Sequence, residues 1–101
     1  MIIVTKTREF EKWIGSLRDR RAVARIGIRV DRLTFGYFGD VKPVGGGVSE
    51  MRVDHGPGYR VYFAQKGTIA VLLLCGGDKS SQARDIRKAK DLWRDWSERW
   101  P

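Results

Sequence analysis

Apolar residues recur along the chain with two different periods, and the switch between them separates helical from extended segments. Residues 1–6 are rich in Ile and Val and predict a short strand. Phe10, Trp13, Ile14 and Leu17 then follow at i, i+3, i+4 and i+7, which is one face of a helix. Thr7 suits its N-cap, with Glu9 and Glu11 in the first turn, where the helix dipole favours acids. A second helix starts near Asp19 and continues the period through Ala22, Val23, Ile26, Val30 and Leu33, weakened slightly by Gly27.

The helical period breaks over residues 34–39. Residues 41–44 are extended at best, because Pro43 cannot donate to a ladder. Gly45, Gly46 and Gly47 predict a bend or bulge, and they lack the lysine–serine ending of a phosphate-binding P-loop. Val48 is apolar, Met51 and Val53 then alternate with Glu50, Arg52 and Asp54 in a period of two, His55-Gly56-Pro57-Gly58 is a turn, and residues 59–64 form the next strand. After a turn at Lys66-Gly67, the unbroken apolar run 69–75 predicts a strand covered on both faces. Ser80 or Ser81 can cap a last helix, in which Ala83, Ile86, Ala89 or Lys90, Trp93, Trp96 and Trp100 recur every three or four residues. Strand, two helices, a three-strand meander and a final helix make an α+β fold, and 101 residues suit a single domain, 1–101.

Charge adds a partner to this picture. The net charge is +8, a balance that favours an anionic partner such as nucleic acid, an acidic protein or a membrane surface. The surplus lies on the helical parts: residues 6–32 hold nine Lys/Arg against four Asp/Glu, and residues 79–100 hold seven against four. No apolar run approaches the ~18 residues of a membrane span, and residues 1–4 are too short for a signal-peptide core. The lone Cys75 cannot form an internal disulfide and sits within an apolar run, so a cytoplasmic protein is expected. No cluster of metal ligands is visible, and neither metal nor another cofactor is expected.

Alternation then shows which side chains leave the core. With Met51 and Val53 inward, Glu50 and Arg52 face the other way; with Val61 and Phe63 inward, Arg60 and Tyr62 share that face. The turn between the strands is short, so Arg52 and Arg60 are expected close together across the ladder. Lys79, Lys42 and His55 can approach the same area. Such a set suits phosphodiester cleavage of RNA, which brings its own 2′-hydroxyl nucleophile and needs a base, an acid and charge stabilisation. Arginine grips phosphate bidentately. Glu50 or His55 could be the base, and His55, Lys79 or Tyr62 the acid. A solvated strand face with cross-strand ion pairs would show the same alternation.

Residues 39–52, Gly-Asp-Val-Lys-Pro-Val-Gly-Gly-Gly-Val-Ser-Glu-Met-Arg, followed by Gly56-Pro57-Gly58-Tyr59-Arg60-Val61-Tyr62-Phe63, resemble the addiction-module-killer branch of the RelE/HigB toxin superfamily. Residues 73–82 and 85–89 extend the likeness over almost the whole chain. The resemblance implies a RelE-like fold, with an N-terminal strand and two helices packed on a curved antiparallel sheet, and a C-terminal helix. It implies messenger RNA cleavage at the ribosome by the toxin of a type II toxin–antitoxin system, and a helix-turn-helix (HigA-like) antitoxin partner. Operator DNA would be met only through that antitoxin. By position Arg60 matches the family's phosphate-binding strand arginine, Lys79 the basic residue after the last strand, and Arg52 a catalytic strand lysine or arginine. Lys42, Tyr62, Arg84 and Arg87 are expected to contact RNA. The chain departs from the family at Glu50, where a second basic residue is common, at Arg84-Asp85, where a tyrosine is common, and at Asp78, which is basic in RelE. A non-catalytic nucleic-acid-binding or operon-regulating partner of an antitoxin is the alternative.

Overall fold

The computed structural model describes residues 1–99. Its elements are β1 (Ile3–Lys6), α1 (Arg8–Ser16), α2 (Arg20–Leu33), β2 (Val41–Gly45), β3 (Val48–Val53), β4 (Tyr59–Lys66), β5 (Ala70–Asp78), a 3-10 turn (Lys79–Ser81) and α3 (Gln82–Ser97). The starts of α1 and α2 follow the capping logic, whereas Ser81, at the N-cap of α3, makes no side-chain cap bond. The Thr7 hydroxyl accepts from the Phe10 amide at 3.0 Å and donates to the Leu74 carbonyl at 2.6 Å, so it fastens α1 to β5 as well as capping it. Asp19 accepts from the amides of Arg21 and Ala22 at the start of α2. Trp100, expected on the last helix, lies outside the described residues.

The five strands form one sheet in the order β1-β5-β4-β3-β2. β2 to β5 are an antiparallel meander of four strands, one more than expected, and β1 joins β5 in parallel, so the sheet is mixed rather than wholly antiparallel. Pro43 is tolerated because β2 is an edge strand, where a missing amide donor can face outward. The ladder slips between Pro43 and Gly45, and all three glycines of the following turn have positive φ. They also lie directly against Lys90 and Trp93 of α3, where a side chain would intrude.

Helices cover both faces. On one, Phe10, Ala22, Ile26, Val30 and Leu33 of α1 and α2 pack against Met51, Val53, Val61, Phe63, Val71 and Leu73. On the other, Ile86, Ala89, Trp93 and Trp96 of α3 pack against Val48, Tyr62, Ala64, Leu72, Leu74 and Cys75. β5 is thus buried on both sides, as its continuous apolar run predicts. A register shift where Tyr62 and Phe63 face Cys75 and Leu73 lets the consecutive residues Leu74 and Cys75 join the same core. This α+β arrangement is consistent with the RelE-like topology. No helix among the described residues is long and apolar enough to cross a membrane.

Candidate functional site

The antiparallel register brings the two strand arginines together. Arg52 pairs directly with Arg60, and Arg60 in turn with Gly77, so they form one row across β3, β4 and β5 at the end of the sheet. Lys79 is exposed just beyond β5. Gly58 sits between it and Arg60: a Cβ built there would lie 3.5 Å from Arg60 Nη1 and 3.8 Å from Lys79 Cβ. Asp78 holds that turn in place by accepting from the Ser80 amide at 2.8 Å and from the Ser80 hydroxyl. These bonds, the hydroxyl's first, keep its carboxyl below the usual carboxylate range. An open depression of about 380 Å³ lies over the row, lined by Asp40, Arg52, Asp54, Gly58, Tyr59 and Arg60.

Each arginine is braced. Arg52 donates to Asp40 Oδ1 from Nε at 3.2 Å and from Nη2 at 2.9 Å, with its side chain 42% exposed. Arg60, 12% exposed, donates from Nη1 to the Gly58 carbonyl at 2.9 Å, and its Nε lies 3.5 Å from Glu50 Oε1. Glu50 Oε2 accepts from Gln82 Nε2 of α3 at 2.8 Å.

Other expected members are placed differently. Glu50 and Tyr62 do share the face of Arg60, but that face is not open there, because α3 lies over it. Glu50 is 1% exposed and Tyr62 fully buried, so neither meets solvent with α3 in place. Burial, then the nearby Glu50 carboxylate, push the Tyr62 phenol well above its ordinary range. His55 turns the other way. Its Nε2 pairs with Asp19 Oδ2 at 3.1 Å, at the start of α2 and so on the α1–α2 side of the sheet. Lys42 is exposed and pairs with Glu50 in the β2–β3 ladder, one step from the arginine row. Arg84 and Arg87 are exposed on α3 and do not line the depression over the row; Arg84 Nε is 3.9 Å from Asp85 Oδ1.

Several residues that support the site have no strong signature in the sequence. Arg29 of α2 donates to the carbonyls of Arg52 and, at 3.1 Å, of Phe38, tying the end of β3 to the chain that enters β2. Its position three residues after Ile26 and four before Leu33 was the available signal: a polar residue at a core-facing spacing. Asp40 and Gln82 are distant in sequence from the groups they meet. Cys75 is buried and donates to the Asp85 carbonyl, and burial pushes its thiol up to about 12, so it is no nucleophile at neutral pH. No group of three or more His, Cys, Asp or Glu side chains able to hold a metal occurs among the described residues.

The Tyr62 hydroxyl has no hydrogen-bond partner among the described residues. Tyr62→Phe is therefore expected to leave stability unchanged or raise it by up to about 1–2 kcal/mol, since it removes a buried unsatisfied group. Urea denaturation tests this; a loss beyond 1 kcal/mol would mean that the hydroxyl is bonded.

Fold and site together define a small basic α+β protein of RelE-like topology, with a cationic row at one end of its sheet. No family model matches the chain. It is 48% identical over 91 residues to an uncharacterized protein of Haemophilus influenzae, an alignment covering 90% of this chain and 92% of that one. The chain belongs to the family of that protein.

Proposed function

We propose that the protein is the toxin of a type II toxin–antitoxin system, a RelE/HigB-type endoribonuclease that cleaves messenger RNA at the ribosome. The observation that carries this reading is the direct pairing of Arg52 with Arg60, with Lys79 beside them. Two guanidinium groups and an ammonium at one end of a sheet suit a bridging phosphate. The 2′-oxygen attacks phosphorus and gives its proton to water while the bond to the 5′-oxygen breaks and that oxygen takes a proton from the Lys79 ammonium, leaving a cyclic phosphate and a 5′-hydroxyl. Arg60, fixed by Glu50 and Gly58, would hold the charge that builds on the non-bridging oxygens, and Arg52 and Lys79 would complete the clamp. Glu50 serves this reading as the support of Arg60. Action at the ribosome makes the protein cytoplasmic, and a helix-turn-helix antitoxin would be its partner.

Primer-extension mapping of transcripts after induced expression is the test, and Arg52→Ala is its cleanest variant. Arg52 is partly exposed and its link to Asp40 is a surface ion pair, so stability should change by no more than about 1 kcal/mol. New 5′ ends are expected with the natural chain and a loss of at least about tenfold with Arg52→Ala. Unbroken messages, or full cleavage by both Arg52→Ala and Lys79→Ala, would count against the reading; intact messages with retained RNA binding would favour a non-catalytic module.

A further inference from the structure

A second cationic surface lies around the edge of the sheet from the arginine row. α1 and α3 flank the end of β5 from opposite faces, and an open groove of about 830 Å³ runs between them. Arg8 and Lys12 project from α1, one turn apart, and Arg84 and Lys88 project from α3 with the same spacing. All four are exposed. Two carboxylates, Glu9 and Asp85, share the groove. Asp85 is only 7% exposed and engages the Ser81 hydroxyl, so the mouth is dominated by cations. Arg8, Lys12 and Lys88 form no ion pair with any described residue. Like charges one turn apart repel, so each pair slightly weakens its own helix. An external polyanion would offset that repulsion.

The floor of the groove narrows the choice of polyanion. Trp13 lies there beside Gly76, where a Cβ would overlap the indole ring. A cationic channel with an aromatic surface is the combination that binds single-stranded nucleic acid without regard to sequence. The groove neighbours the arginine row: its Trp13 ring lies 6.4 Å from that of Tyr59, which lines the depression over the row, and its Gly76 precedes Gly77, the ladder partner of Arg60. The geometry points to the α1–α3 groove as a track for single-stranded RNA, gripping the backbone of the strand whose scissile phosphate lies at Arg52 and Arg60. The choice of RNA rests on the function proposed above; the anion-binding groove itself does not.

Fluorescence anisotropy of a labelled single-stranded RNA of about 12 nucleotides, titrated with the full chain over a range of salt, reads the track directly. Lys12→Glu/Lys88→Glu is expected to weaken binding at least tenfold and to flatten the log–log salt dependence by about 1.4, the loss of two phosphate contacts on a single strand. Lys12→Gln/Lys88→Gln should fall between it and the natural chain, and thermal unfolding checks that both variants fold. Equal affinity and salt slope for the natural and charge-reversed chains would overturn the track. So would tighter binding of a polyglutamate peptide than of RNA, which would make the groove a protein-docking surface. The two proposals fail separately. RNA binding that the reversal abolishes, in a chain that cuts no message, would sustain the track and refute the nuclease. Message cleavage by a chain whose RNA binding ignores the reversal would do the opposite.

Discussion

Arg60→Ala is expected to lose message cleavage and growth arrest almost completely, with a drop of about 10²–10³ in rate, the effect of removing one donor to a developing oxyanion. The same substitution should also destabilise the protein, because Arg60 has two partners of different kinds. Its Nη1 holds the Gly58 carbonyl, and its Nε faces the Glu50 carboxylate, which is 1% exposed. Removing the guanidinium leaves that carboxylate buried with the Gln82 amide as its remaining partner, and breaking a buried ion pair from one side costs about 3 kcal/mol or more. A loss of toxicity by Arg60→Ala alone would therefore mix chemistry with unfolding. Glu50→Gln/Arg60→Ala separates them. A neutral amide at position 50 can still accept from Gln82 and needs no counter-charge. Urea denaturation should show most of the stability restored, while primer extension shows no cleavage. Recovery of cleavage by the double variant would show that Arg60 only steadies the fold.

Gly77→Ala should be among the most damaging single-methyl additions in the chain. A Cβ there would overlap Asp85 Oδ2 and come within 2.9 Å of Ser81 Oγ. Those side chains stand at the junction of the 3-10 turn and α3, and Asp85 is nearly buried, so it must break its bond to Ser81 and turn, or carry the start of the helix with it. Overpacking of this kind costs about 3 kcal/mol, which for a domain of this size lowers Tm by roughly 12 °C or more. The shift should also disturb Gln82, and through it Glu50 and Arg60. Gly27→Ala is the contrasting case. Nothing lies within 4 Å of a Cβ at Gly27, which sits inside α2, so the change should stabilise by up to about 1 kcal/mol through helix propensity. Thermal denaturation of the two variants reads both effects, and equal Tm values would contradict the close approach of α3 to β5.

The coupling of α3 to the arginine row gives that helix a role its composition does not advertise. Ile86, Ala89, Trp93 and Trp96 hold it on the sheet through apolar packing, while Gln82 and Asp85 at its start make polar contacts with the sheet and the preceding turn. The row at the sheet end is thereby braced from three elements: Glu50 of β3 and Gln82 of α3 behind Arg60, and Arg29 of α2 behind the backbone of Arg52.

What the sequence determines by itself is whatever depends on neighbours a few residues apart. The caps at Thr7 and Asp19, the apolar faces of the helices, the doubly buried β5 and the pairing of Arg52 with Arg60 across a short turn all follow from spacing, because helix and ladder geometry repeat over two to four residues. Tertiary structure alone decided which surface each face covers. The stripe on α3 announces that it must be buried, but not that it covers the polar side of the sheet, closing Glu50 and Tyr62 away from solvent. The parallel placement of β1 beside β5, the turning of His55 to Asp19 and the bracing of Arg52 by Asp40 and Arg29 likewise join groups 12 to 67 residues apart. Such contacts are chosen by how the whole chain packs, a constraint that no local period records.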